Sequence, residues 1–319
     1  MDALFFNALA PNTRACYNSA WVCFCAFIST MRLPSPYGVT EDILCFYVAY
    51  LALKKSITCF STVHKYLYAV RSKYIDAGLP DPLRNRPIFD RVCTGLKREM
   101  RGTTHRARHP ITVALLGKLL PFFDIRVRSE RLMRHIFTIC IFGLLRLEAT
   151  LKPNAVTYPR RRDVVFASDG TVQLWLAHSK TDQFGKGHFV RFAPTSDRIC
   201  PVASFKEVFA DFPDLGPDGP LFPMVLGDCP STGVSAMTGA VVIKRLQSAV
   251  RDLGDPSMKG TDVNGHSFRK GGAQTLFDAG CDFGTIRLLG RWSSWCVELY
   301  ASLSTTKVQQ VMLMMPRTT

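Results

Sequence analysis

The chain has 319 residues, of which 47% are apolar and 20% charged, and 40 Lys and Arg against 25 Asp and Glu leave a net charge of +15. That length can bury two modest cores, and the composition excludes an intrinsically disordered chain. The positive excess favours a polyanionic partner, because clustered Lys and Arg attract phosphate.

The opening, MDALFFNALAPNTR, has no basic n-region and no small-residue cleavage site, so no secretory signal is expected. Asn12 and Thr13 are candidate caps for a first helix carrying Ala15, Tyr17, Ala20, Trp21, Phe24 and Phe27. Thr40, followed by Glu41 and Asp42, starts a second, with Ile43, Leu44, Tyr47, Val48 and Leu51 on its apolar side. A third runs from about Ser61 to Ala77 and a fourth from about Ile88 to Met100. The basic, proline-ended stretch RGTTHRARHP, Arg101 to Pro110, reads as a linker. Its Arg101, Arg106 and Arg108 are either phosphate contacts or a solvated hinge. Thr112 to Phe123 and Glu130 to Leu145 predict two more helices, the latter apolar enough to be buried. Three β-like runs follow, from Asp163, Thr171 and His188, with turns at Gly170 and at Phe184 to Gly187, which predicts a small antiparallel sheet. Helices return at Val202 to Phe209, Ala236 to Leu253, Phe268 to Ala279 and Phe283 to Leu289. The fold class is thus mainly α with a small antiparallel β-sheet. No apolar run approaches the roughly 18 residues of a membrane span. Eleven scattered cysteines with no CxxC pair predict free thiols and no structural metal.

Three segments carry chemistry. In FGLLRLEAT, Arg146 ends a buried apolar helix, where it needs either a substrate phosphate or an internal partner such as Glu148. In HSKTDQFGKG, Lys180 sits at a strand end before a turn, with Lys186 as the competing lysine and His178 and His188 beside them. In GHSFRKGGAQTLFDAGCDFGTIRLLGRWSSWCVELY, His266 and Arg269 share a face at a helix start, a ready phosphate site. Gly271 and Gly272 allow close backbone packing, and GRW leads on to Tyr300. The basic run PRRRD, with Arg160 and Arg161, is either a DNA-backbone patch or a solvated loop.

These segments, in this order, resemble the tyrosine recombinase (phage integrase) family: an arginine in a G-L-x-R context, a hairpin lysine, an H-x-x-R box, a G-[HR]-[HW] element and then a tyrosine. The GRWSS form resembles the versions carried by Crypton and DIRS-like mobile elements. The resemblance implies a helical, SAM-like core-binding domain over residues 1–103, a basic linker over 104–110 and an integrase-like catalytic domain over 111–319, closing as a clamp on DNA. It also implies site-specific cutting and rejoining of DNA through a 3′-phosphotyrosyl intermediate on Tyr300. Arg146 and Arg269 would clamp the phosphate, Trp292 would donate its indole N–H, Lys180 would act as general acid and His266 would help remove the tyrosine proton. No cofactor is implied. The expected partner is double-stranded DNA at specific recombination sites, with a homotetramer on two duplexes and no membrane. Location follows the host: the nucleus if it is eukaryotic, otherwise the cytoplasm. Two departures from the pattern stand out. Ala149 occupies the place of a usual carboxylate, and Trp292 precedes Tyr300 by eight residues where many members have nine. Two other readings share the fold: an inactive DNA-binding descendant and a type IB topoisomerase.

Overall fold

A computed structural model describes residues 7–101, 108–147, 151, 158–177, 182, 185–226, 229–230 and 236–299. The chain divides into two compact units, Met1–Ala107 and Arg108–Thr319.

The first unit holds α1 (Pro11–Thr30), α2 (Glu41–Leu53), α3 (Phe60–Asp76) and α4 (Pro87–Glu99). The expected caps of α1 are displaced: Pro11 opens the helix after Ala10, so Asn12 and Thr13 lie inside it and Ala15 faces solvent. Proline is suited to that position because its missing N–H has no intrahelical partner to lose. Thr40 does cap α2, its hydroxyl accepting from the Ile43 N–H. Glu41, one residue on, reaches across to α4 and accepts from the N–H groups of Ile88 and Phe89 at 2.7 and 2.9 Å. The core forms around Phe24, Phe27, Leu44, Tyr47, Leu51 and Val70. The Phe24 ring meets Tyr47 edge-on at 4.8 Å, a favoured aromatic geometry.

The second unit starts with α5 (Val113–Leu119), extended by a 3₁₀ turn, and α6 (Arg128–Phe142). As its composition predicts, α6 is buried from Leu132 to Ile141 apart from Arg134. Its Phe137 packs between Phe123 and Phe268. Strands β1 (Val164–Phe166), β2 (Val172–Leu176) and β3 (His188–Phe192) form an antiparallel sheet in that order, with Gln173 opposite Val165 on one side and Arg191 on the other. Period-two alternation sends Val172, Leu174, Val190 and Phe192 into the core. Then come α7 (Pro201–Asp211), a short ladder of β4 (Val225–Leu226) and β5 (Cys229–Pro230) that the sequence did not signal, α8 (Gly239–Leu253), α9 (Gly265–Asp278) and α10 (Phe283–Gly290). The two glycines of α9 bring backbones together. A Cβ on Gly271 would lie 1.7 Å from the Ile111 carbonyl oxygen, and one on Gly272 would lie 2.4 Å from that of Ile141. The helix bearing His266 and Arg269 is thereby held against the end of α6. Among the described residues no helix is long and apolar enough to cross a membrane.

Candidate functional site

Helix α6 stops at Phe142, so Arg146 is not on the helix but beyond a turn that follows it. The Leu145 N–H returns to the Cys140 carbonyl at 2.8 Å, and Leu144 adopts a left-handed φ of +47°. A leucine in that region is sterically strained. Leu144 stays there with its side chain buried beside Ala273, Ile286 and Trp292, while its carbonyl turns toward α9. Arg146 follows, half-buried.

Asn264 caps α9, its side chain accepting from the His266 N–H at 2.9 Å, and the Ser267 hydroxyl accepts reciprocally from the Asn264 N–H. This closed cap sets His266 and Arg269 at the start of the helix, where the helix dipole adds positive potential. His266 is half-buried and Arg269 is buried. The Arg269 guanidinium donates to the carbonyls of Leu144 at 2.6 Å and Gly290 at 2.5 Å. Its flat face lies 4.1 Å from the Trp292 ring centroid. Trp292 is 6% exposed, and its indole nitrogen is sealed from solvent. The ring is the floor under Arg269. Gly290 makes the fold-back feasible, since a Cβ there would lie 1.7 Å from the Trp292 ring.

Arg291, between them, is the residue that sequence reasoning passed over. It ends α10 with a left-handed φ of +59°. Its guanidinium donates to the carbonyls of Gly143 at 2.8 Å, Leu144 at 3.2 Å and Leu289 at 2.8 Å. Burial, and then the charge of Arg146, push its pKa down to about 10. Arg269 and Arg291 thus meet at one carbonyl, and Arg146 is close enough to repel. The available signal was spacing, since Arg291 precedes Tyr300 by nine residues.

The other candidates are dispersed. Lys180, Tyr300, Arg106, Glu148, Ala149 and His178 lie outside the described residues. Lys186 is exposed on a turn whose N–H groups, at Lys186 and Gly187, donate to the Asp182 carboxylate. Arg101 is exposed. Arg108 is exposed and donates to the Thr261 carbonyl at 2.7 Å. Arg160 donates to the Asp218 carbonyl at 3.1 Å, and Arg162 pairs with the Asp218 carboxylate. Arg161 requires a correction: it is neither a surface patch nor a solvated loop residue but is buried, its guanidinium 4.0 Å from the Phe209 ring centroid. The short 3₁₀ turn that carries the run points its middle arginine inward. Trp295 is exposed beneath Arg287. Among the described residues no three His, Cys, Asp or Glu side chains gather as a metal site. The arrangement of Arg146, Arg269 and Arg291 is therefore a cationic one.

No protein-family model matches the sequence, and no curated protein does. Solved structures do match the fold. The XerH site-specific recombinase bound to its difH substrate aligns with a TM-score of 0.61 over 94% of this chain and 79% of that one, at 16% identity. A Tn1549 transposon integrase fragment with transposon right end DNA aligns at 0.58 over 96% and 94%, at 13% identity. A lambda integrase tetramer bound to a Holliday junction aligns at 0.53 over 88% and 71%, at 13% identity. With its mostly helical architecture and three-stranded antiparallel sheet, the chain has the fold of the tyrosine recombinases and integrases.

Proposed function

We propose that this protein is a site-specific tyrosine recombinase that cuts and rejoins double-stranded DNA through a 3′-phosphotyrosyl intermediate on Tyr300. The observation that carries the reading is the convergence of positive charge around the Leu144 carbonyl, where Arg269 and Arg291 share one acceptor and Arg146 adds its charge. Phosphodiester cleavage needs a nucleophile, charge stabilisation on a phosphorane-like transition state and a proton for the leaving oxygen. Tyr300 attacks phosphorus, and the bond to the 5′-oxygen breaks as Lys180 protonates it. His266 assists removal of the phenol proton. Arg146 and Arg269 hold the nonbridging oxygens, and their fork geometry suits two oxygens better than a lysine does. The energy of the broken bond is kept in the phosphotyrosyl ester, so the return reaction needs no nucleotide cofactor.

The neighbours in fold are structures of proteins with recombination-site, transposon-end and junction DNA, which supports the same substrate class here. Arg101, Arg106, Arg108, Arg160 and Lys186 are the proposed backbone contacts. The domains are residues 1–103 for core binding and 111–319 for catalysis, joined by 104–110, and the working form is a homotetramer on two duplexes. The GRWSS box favours a mobile element of the Crypton or DIRS-like kind as the source. The test is a nicked suicide duplex carrying the element's terminal sequence. A denaturation-resistant protein–DNA adduct forms with the natural chain and is abolished in Tyr300→Phe. An adduct that persists in the Phe variant removes Tyr300 from the reaction. Binding with no adduct points to a non-catalytic DNA-binding protein, and plasmid relaxation without strand exchange points to a topoisomerase.

A further inference from the structure

The turn that joins α5 to α6 is held by arginines. Arg131 donates to the Ile125 carbonyl at 2.5 Å, and Arg134 to those of Leu120 at 2.8 Å and Phe123 at 3.3 Å. Arg245, on α8, donates to the Phe122 carbonyl, and Arg126 lies on the turn itself. Three of these cations have a carboxylate at 2.8 Å: Asp124 for Arg126, Asp211 for Arg131 and Glu130 for Arg245. Arg134 has none among the described residues. Both of its bonds leave from Nη1 and end on backbone carbonyls, which orient the guanidinium without neutralising it. The edge formed by Nε and Nη2, the fork that fits a carboxylate with two parallel bonds, has no protein acceptor among the described residues. Arg134 is half-buried, and a cation drawn partly out of water beside other arginines is unfavourable until an anion meets it.

Arg134 lines a cleft of about 600 Å³ with Pro121, Phe122, Ile125, Asp124 and Glu130. That volume lies in the range of small-molecule sites. The walls define what fits. Asp124 and Glu130 put two carboxylates in the cleft, so a polyanion such as a DNA backbone, or a dianion such as inorganic phosphate, meets repulsion there. Each of those carboxylates is spent on its own arginine, which leaves one positive charge to match. Beside it the surface is apolar, and Ile125 is 57% exposed. A ligand that covers this wall gains by removing it from water.

We propose that this cleft is a binding site for a small monocarboxylate with an apolar body, its carboxylate paired with the Arg134 fork and its hydrocarbon laid on Pro121, Phe122 and Ile125. The site is separate from the residues proposed for DNA cleavage and does not depend on that reaction.

The experiment follows thermal unfolding of the full chain at constant ionic strength with four probes: hexanoate, acetate, hexanol and dimethyl phosphate. Hexanoate gives a saturable rise in Tm, with an affinity at least about tenfold above that of acetate, the scale of a few buried methylenes. Hexanol and dimethyl phosphate give at most a tenth of the hexanoate affinity, since one lacks the charge and the other the apolar body. Arg134→Gln keeps an amide donor for the two carbonyls and loses the fork, and it removes the response. Ile125→Glu changes an exposed side chain, places a negative charge in the cleft and also removes the response. It decides the matter if Arg134→Gln does not fold. A hexanoate response that persists in Ile125→Glu places the carboxylate elsewhere, for example among Arg146, Arg269 and Arg291, and overturns the proposal. No response in the natural chain overturns it as well. So does hexanol or acetate matching hexanoate, and dimethyl phosphate matching it makes Arg134 a phosphodiester contact instead.

Discussion

Glycine does opposite things at two positions of this chain. At Gly271 a methyl group would meet the Ile111 carbonyl, and neither backbone can yield without separating α9 from its neighbours. Gly271→Ala is therefore expected to cost about 3 kcal/mol, at the upper end for overpacking. Gly95, inside α4, has open space around it. Gly95→Ala is expected to stabilise by about 1 kcal/mol through helix propensity. Urea unfolding of the two variants checks both signs. His135 gives a pH dependence. It is buried on α6, and burial pushes its pKa from 6.5 down to about 4, with Asp211 opposing and Arg134 and Arg131 reinforcing. Glu207 lies 3.3 Å away but is 59% exposed, so water weakens its pull and burial wins. The unfolded chain takes up this proton near pH 6.5 and the folded one only near pH 4. The contribution is thus complete above pH 6.5 and is lost as pH falls toward 4, by roughly 2–3 kcal/mol. Unfolding followed from pH 7 to 4.5 should decline more steeply in the natural chain than in His135→Leu, and parallel declines would reject the assignment.

At the scale of elements, helix ends depend on partners that are distant in sequence. Helix α4 begins with proline and has no side-chain cap of its own. Glu41, at the start of α2, supplies the acceptor for two of its N–H groups. Glu41→Ala leaves both without that carboxylate and is expected to destabilise the first unit by about 2 kcal/mol, whereas Glu41→Gln keeps an acceptor oxygen and loses less. Thermal unfolding of the two variants separates the cases. Equal Tm values would show that water replaces the carboxylate. Apolar periodicity made the helices themselves legible, and local capping residues such as Thr40 were readable too. The Glu41 contact was not, because 47 residues separate it from Ile88. The end of α6 was misjudged for a related reason. The apolar run continues through Leu145, but Gly143 and the left-handed Leu144 stop the helix earlier, and no local signal marks a leucine for that conformation.

At the scale of the whole molecule, the net charge of +15 makes the proposed DNA binding a counterion-release process. Affinity for a nonspecific duplex is expected to fall on the order of 10³-fold between 50 and 200 mM salt, the loss for six or more phosphate contacts. Fluorescence anisotropy across that salt range measures it, and a salt-independent affinity would argue against a phosphate-dominated interface.

Composition and periodicity alone determined the mainly helical class, the small sheet, the buried α6 and the basic character. All of these depend on averages over many residues, or on spacings within one element. The order of Arg146, Lys180, His266, Arg269 and Tyr300 suggested a chemistry in the same way. Where the arginines and Trp292 point was decided only by tertiary structure. Gly290 lets Trp292 fold under Arg269, the left-handed Arg291 turns toward the carbonyls of Gly143 and Leu144, and Arg161 is drawn inward onto Phe209. A sequence shows that an arginine is present. Whether its charge is buried against a ring or aimed at a phosphate depends on backbone dihedrals and on neighbours more than 100 residues away.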